Sequence, residues 1–154
     1  MVRSCQKCGV ADALVIGYGN DLRGDDRAGR VVAERIEAAG LPGVAVRSQS
    51  QLTPELALDI AKADTVVFVD ADVECGRLSV RSVKARSRGT RVMSHHTDPE
   101  TMLLLARDMG GLPRDAHVVS IPATDLGLGL ELSPETRAAV AEAVDTVTAL
   151  VAGC

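Results

Sequence analysis

Ala13-Leu14-Val15-Ile16-Gly17-Tyr18-Gly19-Asn20-Asp21-Leu22-Arg23-Gly24-Asp25-Asp26-Arg27-Ala28-Gly29 sets the architecture of this chain. An apolar run of strand length, Ala13–Gly17, gives way to a glycine-rich turn, and a helical pattern follows. Ala28, Val31, Val32, Ile36 and Ala39 fall on one helical face before Gly40 and Pro42 stop the pattern, so the helix is expected over Asp26–Ala39. Such a turn between strand and helix commonly cradles a phosphate at the helix N-terminus. The dinucleotide fingerprint, however, needs a third glycine where this chain has Leu22. Two adjacent carboxylates, Asp25 and Asp26, also stand where a pyrophosphate would approach. The loop therefore points to a cation or a catalytic acid.

Outward from this unit, apolar runs keep alternating with helical patterns, the mark of α/β layering. Further strands are expected at Val44–Arg47, Thr65–Asp70, Leu78–Lys84 and His117–Ile121. Thr65-Val66-Val67-Phe68-Val69 is continuous and β-branched, which suits a central strand buried on both faces. Leu78–Lys84 mixes apolar with polar residues and suits an edge. Three helix starts share one grammar: Thr53-Pro54-Glu55, Asp98-Pro99-Glu100 and Ser133-Pro134-Glu135. Each offers a capping side chain, a proline with no N–H to lose and an acid that opposes the helix dipole. They open helices expected over Pro54–Ala63, Pro99–Met109 and Pro134–Val151. The domain is expected to occupy residues 13–154, behind an N-terminal extension of residues 1–12.

The chain has 154 residues and is 46% hydrophobic, enough for one domain with a sizeable core. Only Tyr18 and Phe68 could stack on bases, and the net charge is -4, so a nucleic-acid partner is not expected. The basic group Arg81, Lys84, Arg86, Arg88 and Arg91 reads as a solvated edge strand and loop. No run has the length of a membrane span and no apolar leader is visible, so a cytoplasmic protein with reduced cysteines is expected. Cys5 and Cys8 lack the second pair that a zinc site requires. The sequence leaves the oligomeric state open.

Chemistry concentrates at three places. Asp25 and Asp26 lie at the entry to the first helix. Asp70 closes the central strand, with Asp72 two residues on. Ser94-His95-His96 precedes the third helix. Ligands of open α/β sheets sit at the carboxyl ends of the strands, where these segments can meet. Blander uses exist: Asp26 as a helix cap, Asp70 as a turn acid, either histidine as a loop hydrogen-bonder. A histidine with two carboxylates makes an N/O ligand set that suits nickel or zinc and leaves positions open. His117 opens a strand and reads as structural. There is no H-E-x-x-H helix and no G-x-S-x-G elbow. A receiver-type signalling domain also gathers acids near its first and third strands. Here, though, the pair comes eight and nine residues after Gly17, and no lysine follows Val118–Ile121.

Taken in order, the motifs resemble the [NiFe]-hydrogenase maturation endopeptidases. Gly17-x-Gly19-Asn20-x-Leu22-x-x-Asp25-Asp26-x-x-Gly29 is similar to the family's signature. Gln51-Leu52-Thr53-Pro54-Glu55-Leu56, Val66-Val67-Phe68-Val69-Asp70-Ala71, Ser94-His95-His96 and the segment from Ile121 to Pro134 resemble later blocks. The resemblance implies a three-layer α/β/α fold around a twisted, mostly parallel five-stranded sheet. It implies removal of a C-terminal extension from a hydrogenase large-subunit precursor once nickel has been inserted. It places the metal-binding and catalytic positions on Asp26, Asp70 and His96, facing nickel carried by the precursor, with zinc or another divalent ion as a surrogate. A non-catalytic, metal-sensing maturation factor is the variant reading.

Overall fold

The computed structural model describes residues 12–87 and 97–152. Residues 1–11, with Cys5 and Cys8, and residues 88–96, with His95 and His96, lie outside the described residues. In chain order the elements are β1 (Ala13–Tyr18), a 3-10 turn (Gly24–Arg27), α1 (Ala28–Ala39), β2 (Val44–Gln49), α2 (Leu56–Lys62), β3 (Thr65–Asp72), β4 (Ser79–Ser82), α3 (Pro99–Asp108), β5 (Asp115–Pro122) and α4 (Pro134–Ala152). They build an α/β fold on one five-stranded sheet of order β2-β1-β3-β5-β4. All neighbours pair parallel except β4, which runs antiparallel on β5.

Strand periodicity divides the core into two layers. Leu14, Ile16, Val66 and Phe68 pack with Leu56 and Ile60 of α2 and Met102 and Leu103 of α3. Ala13, Val15, Val67 and Val69 point the other way, onto Val32 and Ile36 of α1 and Val140 and Val147 of α4. Both sets are buried, so a slip of one residue in β1 or β3 would exchange the two layers. The continuous Val-rich run of β3 thus has the central, doubly covered place its composition calls for.

Local differences from the sequence pattern have physical causes. α1 starts at Ala28 rather than Asp26, because residues 24–27 wind more tightly as a 3-10 turn. Ala39 faces solvent. Asp98 caps α3 by accepting from the Thr101 N–H at 2.8 Å, and the Ser133 hydroxyl accepts from Thr136 N–H at 3.2 Å. Thr53 does not cap α2. Leu56 and Ala57 donate instead to the main-chain carbonyls of Thr53 and Pro54, which delays the helix to Leu56. The edge strand shrinks to Ser79–Ser82. Arg81 pairs with Glu100 at 2.8 Å and Arg86 with Asp98, so part of the basic group is neutralised locally.

Gly29 fixes how close α1 lies to the sheet. A Cβ there would stand 2.3 Å from the Val69 carbonyl oxygen and 2.9 Å from that of Tyr18. A Cβ at Gly17 would in turn stand 2.1 Å from the Gly29 oxygen. The close helix–strand approach made by the third glycine of a nucleotide loop is made here by Gly29, beyond the acids. Alanine would gain up to about 1 kcal/mol of helix propensity, yet the blocking atoms are backbone and cannot turn aside. Gly29→Ala is expected to lose about 1–3 kcal/mol net in urea unfolding. Stability equal to or above that of the wild type would contradict this packing.

Candidate active site

β1 leads through α1 to β2 on one side, whereas β3 lies on the other side of β1. The chain reversal leaves a crevice beyond the carboxyl ends of β1 and β3, where open α/β sheets hold their ligands. The crevice has a volume of about 430 Å³. Tyr18, Gly19, Asp26, Asp70 and Thr97 line it, with residues 50–54 forming the facing wall.

Asp25 and Asp26 part company at its rim. A 3-10 turn advances about 120° per residue, so adjacent side chains cannot face the same way. Asp25 points inward and is 0% exposed. Its carboxylate accepts the N–H groups of Thr124 (2.9 Å), Asp125 (2.8 Å) and Ser133 (2.7 Å). The hydroxyls of Thr124 (3.2 Å) and Ser133 (2.8 Å) donate to it as well. Burial pushes the Asp25 carboxyl up, but the hydrogen bonds from Ser133, Asp125 and Thr124 outweigh burial and hold it well below the usual carboxylate range. Asp25 therefore stitches the loop after β1 to the loop before α4.

Asp26 faces the crevice. One of its oxygens accepts from the Asn20 N–H at 2.9 Å, which closes the glycine turn over it. Gly19 makes that closure possible: its φ is +151°, and a Cβ would lie 1.9 Å from the Asp26 carbonyl oxygen. Asp26 is not the cap of α1, whose capping position is Arg27.

Asp70 reaches the crevice from β3, which does not close at Asp70 but keeps pairing with β5 through Asp72. Burial is the main cause that pushes its carboxyl up to about 6. A hydrogen bond from Tyr18 and the Ala71 N–H oppose the rise, while the charges of Asp26 and Asp72 add to it. The Tyr18 hydroxyl is itself pushed up, first by burial and then by the Asp70 charge it faces. Asp72 turns away and accepts the Glu74 N–H at 2.8 Å, the use of a turn acid. His117 stands in β5 between Val67 and Ser82, toward the opposite end of the sheet. Among the described residues, no third histidine, cysteine or carboxylate joins Asp26 and Asp70 to complete a set of three. Tyr18, which the sequence marks only as a possible stacking platform, belongs to the site. Its signal was its place as a lone tyrosine directly after a buried strand, inside the glycine motif.

Several solved structures share this fold. The hydrogenase 2 maturation peptidase from Thaumarchaeota archaeon SCGC_AB-539-E09 is 31% identical over 88% of this chain and 94% of its own, with a TM-score of 0.65. The [NiFe] hydrogenase maturation protease HycI from Thermococcus kodakarensis KOD1 is 25% identical over 93% and 94%, with a TM-score of 0.72. The hydrogenase maturating endopeptidase HybD from E. coli, 22% identical over 89% and 90%, agrees in fold with a TM-score of 0.69. No protein-family model matches the sequence, and neither does any curated protein. The chain belongs to the [NiFe]-hydrogenase maturation endopeptidases. Among the described residues, no helix is long and apolar enough to cross a membrane.

Buried Asp25 and half-buried Asp70 have opposite effects on stability. The folded-state pKa of Asp25 is lowered, so its contribution is present above about pH 4 and fades as pH falls below that value. Asp25→Asn turns an amide N–H toward three backbone donors and is expected to cost about 2–4 kcal/mol at pH 7. The deficit should shrink in acid. That of Asp70 is raised, so a penalty sets in as pH climbs from about 4 through about 6. Asp70→Asn is expected to stabilise the protein by roughly 1–3 kcal/mol at pH 8 and by nothing below pH 4. Urea unfolding across this range reads both. A stable Asp25→Asn, or an Asp70→Asn gain that does not vary with pH, would contradict the assignments.

Proposed function

We propose that the chain is an endopeptidase that removes the C-terminal extension of a [NiFe]-hydrogenase large-subunit precursor after nickel insertion. One observation carries the reading: Asp26 and Asp70, from different elements, line one crevice at the switch point of the sheet. Thr97 lines the same crevice, and His96 immediately precedes it in the chain. Asp26, Asp70 and His96 are the ligand set proposed for the nickel. Asp25 is left out because five donors already occupy its carboxylate.

The nickel arrives with the substrate, held by the precursor's own thiolates. Two carboxylates and an imidazole add hard donors without competing for those thiolates, so the enzyme tests for the metal while leaving it in place. A metal held against the crevice fixes the scissile peptide and polarises its carbonyl or the attacking water. The water oxygen bonds to the carbonyl carbon, the C–N bond breaks, and the departing nitrogen takes up a proton. Zinc is the surrogate expected to occupy the same donors when nickel is withheld.

The receiver-type reading is set aside. That fold orders its parallel strands 2-1-3-4-5, whereas this sheet ends in β5-β4 with β4 antiparallel.

The test follows the mass of nickel-loaded and nickel-free precursor incubated with the protein. Loss of the extension is expected with nickel alone. Asp26→Asn, Asp70→Asn and His96→Ala should each abolish cleavage in folded protein, and His95→Ala should retain it. A folded enzyme that cleaves under no metal condition would overturn the reading in favour of a non-catalytic maturation factor.

A further inference from the structure

The loop that Asp25 holds carries leucines that neither the core nor the crevice uses. Leu126, Leu128 and Leu130 are 37%, 91% and 64% exposed, and Leu22 beside them is 61% exposed. Leu132, next in the alternation, turns inward against the α1–α4 layer. Exposed leucines on a loose loop would mean little, but this loop is strapped down. The Gly24 N–H donates to the Gly129 carbonyl at 3.0 Å, and the Gly129 N–H donates to that of Leu22 at 3.0 Å. Asp25 N–H donates to the Asp125 carbonyl at 2.8 Å, and the Arg27 guanidinium to that of Leu130 at 2.9 Å. A parallel bridge joins Arg23 to Gly129. Several large apolar side chains held exposed on a fixed backbone mark an interaction surface.

The occupant follows from continuity. The loop presenting Leu22 is the loop that presents Asp26 to the crevice four residues later. A folded protein that sends a peptide past Asp26 comes within reach of the exposed leucines on this turn and on the 126–130 loop bonded to it. We propose that Leu22, Leu126, Leu128 and Leu130 form a docking platform for an apolar surface of the hydrogenase large-subunit precursor, outside the segment that is cut. This rests on the reading of the crevice given above. The platform gives affinity for the folded substrate, and the crevice supplies the chemistry.

The test compares wild-type enzyme with Leu22→Ser/Leu128→Ser on nickel-loaded precursor, reading KM and kcat. In parallel, Kd for intact precursor is measured with both proteins also carrying Asp70→Asn to block cutting. KM and Kd are expected to rise about 10–100-fold, with kcat at saturation and melting temperature unchanged. Leu128→Ser alone gives the readout should the double variant lose stability. Unchanged KM and Kd would overturn the platform while leaving the peptidase reading intact. So would leucine-dependent self-association of the wild type with KM unaffected. Precursor that binds through the leucines but is never cut would sink the peptidase reading and leave the platform standing.

Discussion

The carboxylate of Asp25, enclosed by the backbone and hydroxyls of Thr124, Asp125 and Ser133, is the contact on which the functional end of this molecule depends. It joins residues about a hundred positions apart and takes up the N–H groups of Thr124, Asp125 and Ser133. A buried charge is tolerable only when donors surround it, and here they do so from three consecutive structural features: a strand exit, a loop and a helix cap. With that anchor in place, the 3-10 turn is tied to the 125–130 loop, and Asp26 faces the crevice.

The adjacent acids thus divide the work. Asp25 has its charge stabilised and supports the fold. Asp26 and Asp70 share a crevice in which burial and mutual repulsion raise the Asp70 carboxyl. An arrangement of that kind is costly for the protein alone, which is a mark of functional sites. The Tyr18 hydroxyl offsets part of the cost without removing it. The Asp25 carboxylate is fully satisfied by donors, whereas that of Asp70 is raised by burial.

Much of the architecture was legible in the chain because burial writes strong periodicity. The β3 run, the apolar run of β1 and the Pro-led starts of α3 and α4 all state their structure locally. The start of α2 was not legible, since a main-chain turn at residues 53–57 takes the place of a Thr53 cap. For the site, the sequence could bring Asp70 and the acid pair to one end of the sheet, because strand ends are local facts. It could not decide between Asp25 and Asp26. That choice depends on the pitch of a single turn and on donors roughly a hundred residues away, neither of which leaves a trace in the motif. Tyr18 was hidden for the same reason: its value comes from facing Asp70 across a strand boundary.

The division of roles between the acids can be measured directly by following aspartate carboxyl carbons in NMR as pH is lowered. Asp70 is expected to take up its proton near pH 6, while Asp25 stays ionised below the ordinary aspartate range for as long as the fold survives. An Asp25 that titrates near pH 4, or an Asp70 that titrates no higher than an exposed aspartate, would contradict that division.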